Sequence, residues 1–192
     1  RSSDLQLSPG MPAWTAALPL LQRLRMLGCG VVGSEVARLL LADSAELSTR
    51  AGVKIELAKI AVRTLKDYPG INPALFTTDP FSIVNDPEID LIVEVMCGIE
   101  PARELAHLAI KNRKSIVTAN KALLASHGAE LFTAAYAQGE DIYYEASVAG
   151  AIPIIRPLRD SLVGDFVIRV MGIVNGTTNY ILTKMHEDNK EF

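Results

Sequence analysis

Cysteine, clustered basic charge and long apolar runs are all scarce in this sequence. Its 192 residues include two cysteines, Cys29 and Cys97. Two are too few for a Cys-rich zinc site, and we interpret both as reduced thiols of a cytosolic protein. The net charge of −3 and the lack of a Lys/Arg block argue against a nucleic-acid partner, because phosphates are bound by positive surfaces. No apolar run approaches the roughly 18 residues that cross a bilayer, so we expect no membrane partner.

Apolar residues are plentiful and make up 49% of the chain. This suffices for one well-filled core, or for one domain and part of another. Residues 1–23 contain three prolines and little hydrophobic periodicity, and we expect them to form a poorly ordered lead-in. The alternative is a signal-peptide core at 14–21, but a basic amino-terminal region and an A-x-A cleavage site do not accompany it.

Extended and helical patterns alternate through most of the chain. The extended patterns cover 24–27, 53–62, 90–96, 115–118 and 141–146, and the helical ones cover 32–45, 81–84, 101–111 and 120–137. This alternation predicts an α/β fold with a Rossmann, doubly wound parallel sheet over residues 24–149. From residue 150 a helix at 153–162, a strand at 166–174 and a helix at 178–185 have no closing strand. The pattern predicts a truncated α+β domain over residues 150–192.

A glycine-rich turn follows the first predicted strand. Gly28, Gly30 and Gly33 have the spacing G-x-G-x-x-G and lie between a strand and a helix. In this context the first glycine forms the turn, the second lets the backbone approach a pyrophosphate, and the third lets the helix pack on the strand. The spacing favours a dinucleotide site. The alternative is a glycine turn in a Rossmann-like domain without a cofactor.

The end of the second predicted strand bears on which dinucleotide would bind. An acidic residue is usual there when the 2′-hydroxyl of NAD is bound, but this strand ends in Ala61-Val62-Arg63. A guanidinium at this place can contact a 2′-phosphate, which favours NADP over NAD. The alternative is a solvated surface arginine.

Three further positions carry less specific signals. Glu94 lies within an apolar strand, where it either holds neighbouring loops or points to solvent. Lys121 lies in the first turn of a helix, where a cation is unfavourable. A functional role would explain why a lysine occurs there, and the alternative interpretation is an exposed lysine without a role. Residues 145–155 are small and uncharged after Glu145, and they either turn carbonyl groups toward a hard cation or form a close-packed crossover between domains.

Taken in order, six segments resemble the homoserine dehydrogenase family over residues 27–185. They are GCGVVGSEVARLL, AVRTLKD, VEVMCGIEPA, TANKALLA, YYEASVAGAIPIIRPLRDSL and GIVNGTTNYIL. Members of this family interconvert L-homoserine and L-aspartate 4-semialdehyde with NAD(P), on the way to threonine, methionine and isoleucine. The resemblance thus implies a cytoplasmic oxidoreductase acting on a CH–OH group of a small molecule, homo-oligomeric at full length through its second, substrate-binding domain.

The resemblance also implies roles for individual residues. It assigns cofactor binding to Gly28, Gly30, Val31, Val32, Gly33, Arg63, Cys97, Thr118 and Lys121, with Arg63 reading the 2′-phosphate. Lys121 would in addition be catalytic, beside the nicotinamide and the substrate. A monovalent cation, sodium, would be held largely through backbone oxygens by Glu145, Val148, Gly150 and Ile152.

The sequence departs from the family pattern at several places. Acidic substrate-binding residues and a second, proton-donating lysine would lie beyond Phe192, so we expect no turnover from these 192 residues. Arg23 and Arg25 stand in the first strand where apolar residues are usual, which leaves the register of residues 20–27 open. Cys97 replaces a common glycine. Two alternatives remain: a nucleotide-binding module only, or another Rossmann dehydrogenase of aspartate type, which accounts poorly for NGTTNYIL.

Overall fold

The computed structural model describes residues 21–172, 175–189 and 191. Its contacts divide the chain into two compact units, residues 1–142 and residues 143–192. The sequence patterns placed the domain limit between residues 149 and 150 instead. Of the predicted lead-in, residues 1–20 lie outside the described part of the chain, and residues 21–23 form the start of the first strand.

The first unit is built on a six-stranded sheet in the order β3-β2-β1-β4-β5-β6. The strands are β1 (Leu21–Leu27), β2 (Lys54–Ala61), β3 (Phe76–Thr77), β4 (Leu91–Glu94), β5 (Ser115–Thr118) and β6 (Ile142–Tyr143). β1 pairs in parallel with both β2 and β4, β2 with β3, and β4 with β5. The predicted doubly wound parallel sheet is confirmed. The strand order reverses between β1 and β4, and a crevice forms there at the carboxyl ends of the strands.

The helices are α1 (Val31–Ala42), α2 (Ser44–Ala51), α3 (Pro80–Val84), α4 (Ala102–Lys111), α5 (Lys121–Gln138) and α6 (Gly176–Asp188). The helix predicted at 32–45 is confirmed as α1, but it ends at Ala42, because Asp43 leaves the helical conformation and separates α1 from α2. α2 buries none of its residues. Within the described residues, no helix combines the length and the apolar character that a membrane crossing requires.

Each face of the sheet has its own core. Side chains alternate along β4, so that Ile92 packs with α4 and α5 on one face, whereas Val93 packs on the other. Leu105 and Leu123 join the first cluster, and Ala37 of α1 joins the second. Burial on both faces explains the continuous apolar run Leu91–Val93 of the central strand β4.

The two arginines of β1 are accommodated by ion pairs. Arg23 Nη1 lies 2.6 Å from Glu88 Oε2, and Arg25 forms an ion pair with Asp86. Both partners lie in the segment that precedes β4, at the amino edge of the sheet. Leu24 is in register with Leu91 of β4, so the register that the sequence left open is settled.

The described part of the second unit contains three helical elements. They are a 3-10 turn (Glu145–Ser147), a π-helix (Pro157–Ser161) and α6. The strand predicted at 166–174 is wrong over residues 166–172, which have no regular structure, and residues 173–174 lie outside the described part. Its alternating apolar residues had indicated a strand, but a strand forms only where a partner pairs with it. None of the described residues pairs there.

Candidate functional site

A cleft of about 570 Å³ opens at the carboxyl ends of β1, β2 and β4. Three segments line most of it: the turn at 28–30, residues 61–68 after β2 and residues 95–101 after β4. These segments meet because parallel strands end at the same edge of the sheet. The cleft lies where the strand order reverses, the usual ligand site of such sheets.

The glycine turn is shaped by close backbone contacts. Gly28 has φ +101°, and a Cβ there would lie 2.8 Å from the carbonyl oxygen of Val95. A Cβ on Gly33 would lie 2.6 Å from the oxygen of Gly28. Both positions therefore require glycine, the first for its conformation and space and the second for the approach of α1 to the turn. At Gly30 a Cβ would meet no atom within 4 Å and would enter the cleft.

The first turn of α1 presents backbone N–H groups beside this turn. No side chain caps the helix at Gly30, so these donors are available to an anion, and the helix dipole favours negative charge there. Val31 and Val32 are exposed, although the cleft lining does not include their side chains. The turn and the helix start are thus suited to a pyrophosphate.

Positive charge dominates the β2 side of the cleft. Arg63 and Lys66 both line it, and none of the described residues that line it is acidic. Lys66 Nζ lies 5.1 Å from the ring centroid of Tyr68, which also lines the cleft. These two cations make this side of the cleft favourable for an anionic ligand.

Glu94 holds the loops at the carboxyl edge together. Its carboxylate is buried and accepts hydrogen bonds from Thr118 Oγ1 at 2.5 Å and from Met96 N at 2.8 Å. Asn120 Nδ2 donates to the oxygen of Gly98 at 2.7 Å, and Asn120 N donates to Thr118 Oγ1. Burial raises the pKa of Glu94, while its hydrogen bonds oppose the shift. Of the two interpretations that the sequence left open, the structure supports the holding role.

The remaining predicted cofactor residues occupy different places around this network. Cys97 is exposed and lines the cleft. Thr118 is buried under the loops, where it donates to Glu94. Lys121 is the exposed first residue of α5, directly after Asn120, whose Oδ1 caps the helix by accepting from Leu123 N at 3.1 Å. The described residues that line the cleft include neither Thr118 nor Lys121.

The predicted cation residues lie in the second unit, in a loop closed by Glu145. Its carboxylate accepts hydrogen bonds from the backbone N–H groups of Ile154, Ile155 and Arg156 at 2.6, 2.9 and 2.8 Å. Burial would raise the pKa of Glu145, but these three bonds and the charge of Arg156 outweigh it, and the pKa is lowered. The carboxylate is therefore occupied by amides, which leaves backbone carbonyls as the candidate cation ligands.

The backbone of this loop turns sharply before Ile152. Ala149 and Gly150 have φ of 58° and 61°, and the oxygen of Ala149 accepts from Ile152 N at 3.2 Å. The oxygen of Glu145 accepts from Val148 N at 3.2 Å. No cluster of three His, Cys, Asp or Glu side chains suited to a metal occurs in the described part of the chain.

The sequence reasoning did not assign Cys29, Lys66 or Tyr68 to the cleft. Cys29 is buried in the glycine turn; burial raises the pKa of its thiol, and the charges of Arg38 and Lys66 oppose this. Both cysteines are free thiols, as predicted. The signal for Lys66 and Tyr68 was their position shortly after the end of β2, at the edge where ligands bind.

Two family models match the chain. One, described as "Homoserine dehydrogenase, NAD binding domain", matches residues 28–145, and one described as "Homoserine dehydrogenase" matches residues 153–192. The first alone spans more than half of the chain, and it contains the glycine turn, the β2 end and the Glu94 network.

Curated relatives and solved structures agree with these two family matches. The chain is 49% identical over 168 residues to a homoserine dehydrogenase of Corynebacterium glutamicum, covering 87% of this chain and 38% of the relative. A homoserine dehydrogenase structure from Thiobacillus denitrificans superposes with a TM-score of 0.80 at 43% identity, covering 88% and 40%. A hyperthermophilic archaeal homoserine dehydrogenase in complex with NADPH gives a TM-score of 0.73 at 26% identity, covering 87% and 57%.

The chain thus spans about two fifths of the length of the curated relatives that it matches. Within that span, the sheet order, the glycine turn and both family matches point the same way. The chain belongs to the homoserine dehydrogenase family.

Proposed function

We propose that the protein is an NADP-dependent homoserine dehydrogenase and that its first unit binds the cofactor. In the reaction, the alcohol carbon of L-homoserine is oxidised to the aldehyde of L-aspartate 4-semialdehyde. A hydride passes to C4 of the nicotinamide, and the hydroxyl proton passes to a base. The observation that carries the proposal is the family match over residues 28–145, which coincides with a cleft of positive charge at the cofactor edge of the sheet.

The preference for NADP rests on the end of β2. Arg63 lines the cleft, and the described lining residues include no carboxylate to accept the ribose hydroxyls of NAD. Gly28, Gly30 and Gly33 with the start of α1 would hold the pyrophosphate, and Arg63 the 2′-phosphate. The NADPH complex of the archaeal relative supports this choice.

Lys121 is the proposed proton-transfer residue. It is exposed at the start of α5, and its neighbour Asn120 is fixed to the oxygen of Gly98, next to the cleft residue Cys97. This bond holds the lysine near the loop that follows β4. Cys97 and Thr118 would complete the cofactor site, Cys97 from the cleft wall and Thr118 through the buried Glu94.

A monovalent cation, sodium, would bind at the loop of residues 145–152. Backbone carbonyls of Glu145, Val148, Gly150 and Ile152 are the proposed ligands, and the oxygen of Glu145, which accepts from Val148 N, would use its second lone pair. Oxygen ligands suit a hard cation. The left-handed conformations of Ala149 and Gly150 support the proposal, because they let successive carbonyls change direction.

The wider setting follows from the family. The protein would act in the cytoplasm, in keeping with its free thiols, and in the synthesis of threonine, methionine and isoleucine, as a homo-oligomer at full length. Because 192 residues cover 38% of the C. glutamicum relative, we propose that this chain alone binds the cofactor without turnover. A nucleotide-binding module alone is the second candidate, and the same observation favours it for these residues.

Binding and turnover assays test these proposals separately. Calorimetry with Arg63→Gln should show NADPH binding weakened about tenfold, the loss of one charge-assisted contact, with NADH binding unchanged. Equal weakening of both cofactors would contradict the assigned contact. Homoserine-dependent reduction of NADP by the 192-residue chain would contradict the proposal that it lacks turnover.

A further inference from the structure

A buried carboxylate lies at the carboxyl edge of the sheet, behind the wall of the cleft. Glu94 ends β4, is 1% exposed and directly precedes the cleft residue Val95. It is in register with Leu27 of β1, the residue before the glycine turn, and with Thr118 of β5, three residues before Lys121. Glu94 therefore lies between the two segments that we assign to the pyrophosphate and to the nicotinamide.

The groups around this carboxylate suit its ionised form. Thr118 Oγ1 donates to Oε2 at 2.5 Å, Met96 N donates to Oε1 at 2.8 Å, and Asn120 Nδ2 donates to Oε1 at 3.5 Å. Amide N–H groups can only donate, and Thr118 Oγ1 in turn accepts from Asn120 N at 3.0 Å. A carboxylate accepts all of these bonds without carrying a proton, so Glu94 is best satisfied as an anion.

No cation in the described part of the chain neutralises this anion. None of the lysine, arginine and histidine side chains described there forms an ion pair with Glu94. Burial raises the pKa of Glu94 and its hydrogen bonds oppose this, whereas no charged side chain among the described residues contributes to the shift. An ionised carboxylate that is buried without a cation is costly. Its presence at the ligand edge therefore points to a cationic group on the ligand.

The amino edge of the same sheet shows the contrast. Lys114 is 2% exposed there, and burial lowers the pKa of its ammonium, but the charges of Asp86 and Asp90 oppose this shift. Arg25 forms an ion pair with Asp86 at the same edge. The buried charge at the amino edge is thus compensated by side chains of opposite sign, whereas that of Glu94 is compensated by hydrogen bonds alone.

We propose that the buried charge of Glu94 favours the oxidised cofactor over the reduced one, because the nicotinamide ring of NADP⁺ supplies the cation that this carboxylate lacks. The inference rests on the proposed cofactor site, with Lys121 beside the nicotinamide. The ring carries one positive charge in NADP⁺ and none in NADPH, while both forms share the same adenosine, phosphates and riboses. A fixed negative charge near the ring therefore changes the ratio of the two affinities, and its effect on the shared groups cancels in that ratio.

The test is calorimetric titration of the 192-residue chain with NADP⁺ and with NADPH. Glu94→Gln removes the charge and keeps the shape, since the new amide can accept from Met96 N and donate to Thr118 Oγ1. The ratio of NADP⁺ affinity to NADPH affinity should fall about fivefold in this variant. Glu88→Gln is the charge-matched control, because Glu88 pairs with Arg23 at the amino edge, and it should leave the ratio unchanged.

A second measurement uses the wild-type chain and needs no variant. Coupling between two sites is reciprocal, so a ring charge that is favoured by the Glu94 carboxylate must also favour the ionised carboxylate. Carbon NMR of the labelled Glu94 carboxyl should therefore give a lower pKa in the NADP⁺ complex than in the NADPH complex. The expected difference is about 0.7, the logarithm of the fivefold change in the affinity ratio.

The contrary outcomes separate this inference from the proposed function. An unchanged ratio in Glu94→Gln overturns the inference, whether the two affinities fall together, as a purely structural role requires, or stay the same. Equal pKa values of the Glu94 carboxyl in the two complexes overturn it even if the variant does not fold. A similar fall of the ratio in Glu88→Gln assigns the effect to the net charge of the protein and overturns it as well. In these cases the cofactor site stands, whereas a wild-type chain that binds neither form contradicts the proposed site and the inference together.

Discussion

The two units of the chain differ in what stabilises them. The first unit buries apolar side chains on both faces of its sheet, and its internal charges are paired or hydrogen-bonded. In the second unit no described residue is buried, and Phe166 and Ile168 are 95% and 96% exposed. Burial of apolar surface is the main driving force of folding. The first unit can therefore fold on its own core, whereas the second depends on local hydrogen bonds.

The largest expected effect is a difference in amide hydrogen exchange between the two units. Amides of β1, β4 and β5 should be protected about a thousandfold more than those of α6, because the core opens with the global unfolding free energy and α6 opens locally. Exchange followed by mass spectrometry on the native chain measures this. Comparable protection of α6 and the central strands would contradict the comparison.

A substitution in the glycine turn should give the next largest effect, on the stability of the first unit. Gly28→Ala should lower the free energy of unfolding by about 2 kcal/mol or more, since φ is +101° and the new methyl would meet Val95. The matched control is Gly30→Ala, where the Cβ meets open space. It should leave stability unchanged and weaken NADPH binding. Urea unfolding measures both variants, and equal stability of the two would contradict the account of Gly28.

The pH dependence of stability should carry the signature of Glu94. Its pKa is raised in the folded state from 4.5, so the unfolded chain loses this proton at a lower pH than the folded chain does. The contribution of Glu94 is therefore fully present below pH 4.5 and declines as the pH rises toward the folded pKa. Urea unfolding of Glu94→Gln should show no such decline. A decline as steep as in the wild type would assign the effect to another group.

Glu130 should give a smaller effect of opposite sign. Hydrogen bonds from Arg103 and from His107 lower its pKa to about 2, with the charge of His127 adding to the shift. Stability from this carboxylate is present above 4.5, its ordinary pKa, and is lost as the pH falls toward 2. Glu130→Gln should remove that part of the acid sensitivity. Acid unfolding followed by circular dichroism checks it, and an unchanged profile would contradict the assignment.

The difference between the units also decided how much the sequence could predict. β5 was predicted at its observed bounds. Its apolar residues and the turns that flank it are local features of the sequence. The strand at 166–174 failed because pairing depends on a partner remote in sequence. α2 was not separated from α1 in the prediction, because the apolar pattern does not show the break at Asp43. The helix predicted at 178–185 is α6, which buries no residue, because a helix forms its hydrogen bonds within itself and needs no remote partner.

The candidate site was predictable in its position more than in its details. The edge rule for parallel sheets brought Gly28, Arg63 and Cys97 to one cleft. The stacking of Phe76 on Tyr68 could not be foreseen, because it depends on the path of the loop between them. The role of Glu94 was likewise open until its tertiary partners were known.

Mapping NADPH and NADH onto the chain by NMR tests the central claim that the first unit contains the cofactor site. On adding NADPH, amide shifts should concentrate at residues 28–33, 61–68 and 95–98, and those at 63–68 should be small or absent with NADH. Residues 145–156 and α6 should shift little. Shifts centred on the second unit, or identical maps for the two cofactors, would contradict the account.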